Sequence, residues 1–145
     1  MTSFDENFQV IVVGVDESDA AKDAIRFAAS VARNHDAELA LVYVAVPSAL
    51  VGLSAMAVDA VRQSWDSASA DLQHVGHELL DPMSVRWTFV RREGDAAEQI
   101  AAVAAELTAD AVVVGRASHR VLHGPLGSVP VRLAHSAPCP VIVVP

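Results

Sequence analysis

Short apolar runs alternate with stretches of helical periodicity along the whole chain, and this alternation restricts the possible folds more than any other feature. The runs are too short for typical helices, so they predict strands. The predicted strands are residues 8–15, 39–46, 85–90, 111–114 and 141–144. The second is almost continuously hydrophobic, as in strands covered on both faces, whereas the third alternates apolar and polar residues, which predicts a position near a sheet edge.

Four helices are predicted between these strands. In the first, Ala24, Phe27 and Val31 have the spacing of one apolar helix face. The others are predicted at about 56–80, from 94 onwards and at about 128–136. An alternating order of this kind predicts an α/β fold, in which a three-layer, open, five-stranded parallel sheet forms a single domain over residues 1–145.

The carboxyl ends of the strands are where we expect a ligand. In open α/β sheets, ligands bind beyond these ends, at the point where the strand order reverses. Asp16 follows the first strand, Val44 lies near the end of the second, and a loop begins at Gly115 after the fourth. These three positions are the candidate site residues that the topology suggests.

Three common phosphate sites are excluded by the residues at these strand ends. The turn from Gly14 to Ser18 lacks the GxGxxG spacing of dinucleotide-binding domains. The only lysine, Lys22, lies within the first predicted helix and is out of place for a Walker-type phosphate loop. The third strand ends in Arg91 and Arg92, whereas a receiver domain needs an aspartate there.

The loop between Gly115 and Val129 has the residues of an anion site. Gly115 would allow close approach of a ligand, Gly127 permits a turn, and Ser128 is placed to cap the next helix. Exposed amides at a helix start carry partial positive charge and favour phosphate. A simpler interpretation, which the spacing leaves open, is that the two glycines only shape a surface loop.

Charge is divided unevenly along the chain. The net charge of −8 argues against nucleic acid and anionic membranes as partners, because both need clustered positive charge. All 18 acidic residues precede position 111, and the only charged side chains after it are Arg116, Arg120 and Arg132. The last quarter of the chain is therefore suited to one small anion.

The chain begins with acidic residues, Asp5 and Glu6, where a secretion signal would carry positive charge. No apolar run is long enough to span a membrane. We therefore expect a cytoplasmic protein with no membrane partner.

No catalytic or metal-binding residues are predicted. No acid follows His119 and His123 to orient a histidine in a hydrolase triad. His74 and His77 lie one helical turn apart, but a third metal ligand is missing. The single cysteine, Cys139, excludes an intramolecular disulfide and a multi-cysteine metal site.

Several short motifs, taken in order, resemble the universal stress protein family over the whole chain. They are Val13-Gly14-Val15-Asp16-Glu17-Ser18, Leu41-Val42-Tyr43-Val44, Val112-Val113-Val114-Gly115, Gly127-Ser128-Val129 and Pro140-Val141-Ile142-Val143-Val144. The resemblance implies an adenine nucleotide alpha hydrolase-like (Rossmann-like) sheet of order 3-2-1-4-5 and, usually, a dimer. In one subclass of the family, a G-x2-G-x9-G-[ST] loop binds ATP or a related adenine nucleotide.

The resemblance also implies a role for residues at the first two strand ends. Gly14 and Asp16 would lie beside the adenosine, with the Asp16 carboxylate accepting a hydrogen bond from the ribose or the adenine. Val44 would contact the face and edge of the adenine. These three residues are the expected adenosine side of the site.

The expected phosphate side follows from the glycine loop. By the resemblance, Gly115 would begin the loop, Gly127 and Ser128 would meet the phosphates, and Val129 would supply a further amide. The basic residues expected beside them are Arg116 and Arg120.

This loop departs from the family motif at two points. Ser118 stands where the second glycine is expected, and eight residues instead of nine separate it from Gly127. The Ser118 side chain would crowd a phosphate or donate its hydroxyl to one. Pro130 also removes an amide that could have faced the ligand.

The sequence thus predicts a universal stress protein domain that binds an adenine nucleotide and acts in the stress response, not an efficient enzyme. Mg²⁺ would accompany ATP, with Asp16 across the cleft as the nearest acid, and slow ATP hydrolysis stays open. The alternative is a dimeric interaction module that has lost nucleotide binding, argued from Ser118 and the shortened loop. A small hydrolase is a third alternative. In either of the first two cases we expect a homodimer through the C-terminal edge strand, residues 141–144.

Overall fold

A computed structural model describes residues 7–116 and 128–145. The strands are β1 (Val10–Gly14), β2 (Glu38–Ala45), β3 (Trp87–Glu93), β4 (Ala111–Gly115) and β5 (Val141–Val144). The helices are α1 (Asp19–His35), α2 (Ala55–Leu80), α3 (Ala96–Glu106) and α4 (Val129–Ser136), with short 3-10 turns at Pro47–Leu50 and Asp81–Met83. The predicted alternation of strands and helices is confirmed within these residues.

All five strands are parallel and lie in the order β3-β2-β1-β4-β5, which confirms the predicted fold class and order. β1 is central, and the chain first builds outwards to β3 and then returns to β4 on the other side of β1. The carboxyl ends of β1 and β4 therefore form the switch point of the sheet. β3 and β5 are the two edge strands.

The third strand differs most from its predicted bounds, which were 85–90. It extends to Glu93 because Arg91 and Arg92 continue the pairing with β2. Their guanidinium groups reach out of the sheet to carboxylates on the helices, Arg91 to Asp66 at 2.7 Å and Arg92 to Glu106 at 2.6 Å. Polar residues at a strand end are thus compatible with pairing when their charged tips remain at the surface.

Two hydrophobic cores lie on opposite faces of the sheet. One joins the sheet to α1 and α2, and the other joins it to α3 and α4. Adjacent residues of one strand serve both, since Val13 packs in the first core and Val12 in the second, each with no exposed surface. Burial on both faces explains the nearly continuous hydrophobicity of the central strands. No helix among the described residues is long and apolar enough to cross a membrane.

Candidate functional site

A cavity of about 210 Å³ opens at the switch point, beyond the carboxyl ends of β1, β2 and β4. Six predicted site residues are among the residues that line it: Gly14, Asp16, Val44, Gly115, Arg116 and Val129. Ser128 directly precedes α4 and is not among the lining residues. Three further predicted site residues, Ser118, Arg120 and Gly127, lie outside the described residues.

The floor of the cavity, which we define as Gly14 and Gly115, is formed by close packing. Neither glycine has a positive φ, so neither is required by backbone conformation. A Cβ on Gly14 would lie 2.8 Å from Cδ1 of Ile100 and 3.0 Å from Cγ1 of Val114. A Cβ on Gly115 would lie 2.6 Å from the backbone carbonyl of Ala20. Gly115 is therefore needed for α1 to pack on the sheet, and Gly14 allows the close approach of α3, in both cases independently of any ligand.

The β2 side of the cavity is largely apolar. Val44 is half-buried there, and the neighbouring Tyr43 is buried but also lines the cavity. Burial raises the pKa of the Tyr43 phenol above its ordinary value, and the nearby carboxylates of Glu17 and Asp16 add to the rise while Arg91 opposes it. The phenol therefore stays protonated at neutral pH and can donate a hydrogen bond.

The turn after β1 presents Asp16 at the mouth of the cavity. Asp16 is exposed, and its Oδ1 accepts a hydrogen bond from the backbone N–H of Ser18 at 2.8 Å. Ser18 is in turn the N-cap of α1, where its Oγ accepts from the N–H of Ala21 at 3.2 Å. These two local bonds fix the backbone that carries the Asp16 carboxylate.

The opposite side of the cavity is the α4 wall, which we define as Val129 and Pro130. Ser128 occupies the N-cap position with extended backbone, as predicted, but its side chain makes no capping hydrogen bond. Pro130, in the first turn, has no N–H to offer to such a cap. The Ser128 hydroxyl is therefore not used by the helix that it precedes.

Among the described residues, less positive charge is available near the cavity than the sequence suggested. Arg116 is exposed, lines the cavity, and is tied by its backbone N–H to the carbonyl of Val144 at 2.8 Å. Arg132 makes two hydrogen bonds of 2.6 Å to the carboxylate of Asp95, so its charge is neutralised by a residue from another helix. In the described lining, Arg116 is the basic residue and Asp16 the acidic one.

Sequence reasoning missed the part of the lining that comes from α3. Ala96 and Ile100 face the cavity from the first turns of this helix. A signal was present, because a helix that crosses from β3 to β4 must begin at the carboxyl end of β3 and pass over the switch point. Tyr43, next to the predicted Val44, was also missed.

The described residues hold no group of three or more His, Cys, Asp or Glu side chains arranged for a metal ion. His74 instead pairs with Glu78 at 2.9 Å, and His77 with Asp81 at 2.8 Å. Both pairs lie on the exposed surface of α2, away from the cavity.

Comparison with known proteins identifies similar chains over nearly the whole of this one. The sequence profile of the universal stress protein family matches residues 7–145. A universal stress protein of Methanocaldococcus jannaschii is 33% identical over 148 residues, which cover 94% of this chain and 82% of that protein.

Solved structures with the same fold are also found. The universal stress protein UspA from Lactobacillus plantarum has a TM-score of 0.80 at 23% identity, and the match covers 97% of this chain and all of that one. A universal stress protein in complex with cAMP has a TM-score of 0.69 at 23% identity, with 96% and 98% covered. One from Archaeoglobus fulgidus in complex with dAMP has a TM-score of 0.64 at 21% identity, with 95% and 98% covered.

Proposed function

The chain belongs to the universal stress protein family, and from this premise we propose that its carboxyl-edge cavity binds an adenine nucleotide, ATP or a related one. The observation that carries the proposal is the composition of the cavity. An apolar slot lies between β2 and the start of α3, and a carboxylate and a guanidinium stand at its rim. The solved family members that hold cAMP and dAMP support the same ligand class.

The adenine ring would occupy the apolar slot. Val44 at the end of β2, Val46 just after it and Ile100 of α3 would offer aliphatic surface to a flat ring. A ring of this kind is held mainly by buried apolar area and positioned by a few polar groups. The backbone at the end of β2 would supply such groups.

The ribose and phosphates would lie across the rim. Asp16 would accept a hydrogen bond from the ribose, because a carboxylate is an acceptor and its own position is fixed by the turn to Ser18. The phosphates would lie at Arg116 and the N-terminus of α4, where the N–H of Val129 and the Ser128 hydroxyl are unused within the helix. Gly127, Ser118 and Arg120 remain part of this proposal from the sequence.

Mg²⁺ would arrive with ATP instead of occupying a site built from protein ligands. Mg²⁺ is commonly held by substrate phosphates together with one or two carboxylates, and Asp16 is the carboxylate in the described lining. Neither a general base nor a nucleophile is assigned, so we propose a nucleotide-binding regulator in the stress response and not a catalyst.

The alternative function, an interaction module without nucleotide, is favoured by the glycine loop. Ser118 and the shortened spacing to Gly127 depart from the nucleotide-binding motif. In either case we propose a homodimer through β5, an edge strand whose Val143 is 46% exposed. Light scattering at micromolar concentration should give twice the chain mass, and a monomer would refute the dimer.

The nucleotide proposal is tested by identifying what the protein binds. Small molecules released from the freshly purified protein are identified by mass spectrometry, and ATP, ADP, AMP and cAMP are titrated by calorimetry. Binding of one of them supports the proposal. If none binds at millimolar concentration, nucleotide binding is refuted and the interaction module takes its place.

The placement of the phosphates is tested with Arg116→Gln. Loss of a charge-assisted contact should lower the affinity for ATP by roughly tenfold and leave the affinity for adenosine unchanged. Arg86→Gln is the matched control, since it removes the same charge at the other end of the sheet, where Arg86 bonds the carbonyl of Asp36. Equal ATP affinity in both variants would place the phosphates elsewhere.

A further inference from the structure

The helix that forms the α4 wall is weakly anchored by packing. It has eight residues, and only Leu133 among them is buried. Its N-cap Ser128 makes no side-chain capping bond. Hydrophobic packing of α4 thus comes mainly from Leu133 and from Val129, which is partly buried against the second core. A polar contact with a neighbouring helix can therefore add substantially to the anchoring of the α4 wall.

A charged pair links this helix to α3. The two terminal guanidinium nitrogens of Arg132, Nη1 and Nη2, donate to the two carboxylate oxygens of Asp95, each at 2.6 Å. The pair is partly shielded, with side-chain exposures of 25% for Arg132 and 37% for Asp95. The bidentate arrangement fixes orientation as well as distance, because a planar guanidinium and a planar carboxylate must lie in register.

The pair also connects the two helix starts that line the cavity. Asp95 is the N-cap of α3, where its Oδ2 accepts from the N–H of Glu98 at 3.0 Å, and Ala96 follows it directly into the lining. On the other helix, the backbone N–H of Arg132 donates to the carbonyl of Ser128 at 3.0 Å. Each partner is thus bonded directly to the first turn of its own helix.

We infer that Asp95 and Arg132 are positioning residues that hold the α4 wall against α3 and thereby set the affinity for the nucleotide. The identity of the ligand in this inference rests on the proposed function. The role of the pair in holding α4 rests on the contacts described above. Neither residue is in the described lining of the cavity, so we assign neither of them a contact with the ligand. Their effect on binding comes from preorganisation, since a wall that is already in place loses less freedom when the ligand arrives.

No other ion pair among the described residues links α4 to α3. Arg92–Glu106 and Arg91–Asp66 also have short contacts, but each is a single contact, and their carboxylates are 52% and 68% exposed. They join β3 to helix surfaces that do not line the cavity. Arg92→Gln therefore provides a control that removes an arginine from an ion pair with α3 without touching the wall.

The test uses two variants that change charge in opposite directions. Asp95→Ser retains an N-cap residue for α3 and raises the net charge, whereas Arg132→Gln lowers it. If the two residues act by positioning, each variant should bind AMP and ATP about tenfold more weakly than the parent. The double variant should bind them no more weakly than either single variant. Arg132→Lys, which keeps the charge but not the bidentate geometry, should be intermediate.

Amide hydrogen exchange of the ligand-free protein is the second readout. In Asp95→Ser and Arg132→Gln, the α4 amides should exchange about tenfold faster than in the parent, while the β1 and β4 amides exchange at the parent rate. In the control Arg92→Gln, the α4 amides should also exchange at the parent rate. This readout needs no nucleotide. If the parent binds none, the proposed function fails, and α4 exchange alone decides whether the pair holds the wall.

Two results would overturn the inference. The first is unchanged α4 exchange in both variants, which would mean that the pair does not hold the helix. The second is opposite effects on affinity, in which Asp95→Ser binds ATP more tightly than the parent and Arg132→Gln binds it more weakly. That pattern would show that a released Arg132 contacts the phosphates directly.

Discussion

The cavity floor and the α4 wall border the same site, but different forces hold them in place. The floor glycines, Gly14 and Gly115, leave no space for a Cβ against α3 and α1. The α4 wall depends on one fully buried leucine, on the partly buried Val129 and on one bidentate ion pair. A change in the floor should therefore act on folding, and a change behind the wall should act on ligand affinity. This difference decides which substitutions can test binding.

The largest effect is expected for Gly115→Ala. The new Cβ would meet the carbonyl carbon and oxygen of Ala20 at 2.6 Å, and backbone atoms in the first turn of α1 have little room to yield. We expect a loss of about 3 kcal/mol in the free energy of unfolding, measured by urea denaturation. Adding Ala20→Gly should restore little, because it leaves that carbonyl in place. Parent-like stability in Gly115→Ala would contradict a floor set by packing.

A smaller loss is expected for Gly14→Ala. Here the nearest atom is Cδ1 of Ile100, the end of a flexible side chain, which can move. We expect about 1 kcal/mol of destabilisation in the same urea measurement.

Ile100→Val offers a matched rescue, because valine lacks the Cδ1 atom that the new methyl group meets. The double variant Gly14→Ala, Ile100→Val should be more stable than the sum of the two single changes indicates. Strict additivity would mean that Gly14 and Ile100 are not in conflict.

The smallest effect on stability concerns the pair behind the wall. The hydrogen bonds from Arg132 lower the pKa of Asp95 below its ordinary value of 3.8, and the Glu98 N–H also lowers it while burial opposes both. A carboxyl group with a lowered folded-state pKa stabilises the fold above its ordinary pKa and loses that contribution as pH falls through the folded-state value.

The stability difference between the parent and Asp95→Ser should therefore be small and constant at neutral pH and should shrink below pH 3.8. Urea midpoints at a series of acidic pH values measure it. Asp81, whose pKa is lowered first by its hydrogen bond from Trp87 and also by His77, titrates in both proteins, so its effect cancels. A difference that persists undiminished in strong acid would show that the Asp95 carboxylate is not its source.

The fold was predictable because its signal is local. Apolar runs and helical spacing predicted five strands and four helices, and the bounds of β5 agree at both ends, residues 141–144. The strand order came from the resemblance to the family. Asp16 and Val44 could be placed at the cavity because strand ends meet at one edge of a parallel sheet.

Details of the site depended on contacts between distant segments, which sequence spacing does not contain. Arg132 was counted as free positive charge, but its partner, Asp95, lies 37 positions away. Gly115 was interpreted as space for a ligand, and the structure adds the Ala20 carbonyl as a second reason for glycine there. Neither contact follows from local pattern, because both depend on how helices pack across the sheet.

The central claim, that an adenine nucleotide occupies the carboxyl-edge cavity, is tested most directly by mapping amide chemical shifts during titration with AMP. We predict that the largest changes fall on residues 14–18, 42–46, 114–116 and 128–130, which belong to the described lining or adjoin it. No binding at millimolar concentration would contradict the claim. So would changes confined to the polar groove between Arg33 and Arg86 at the opposite end of the sheet.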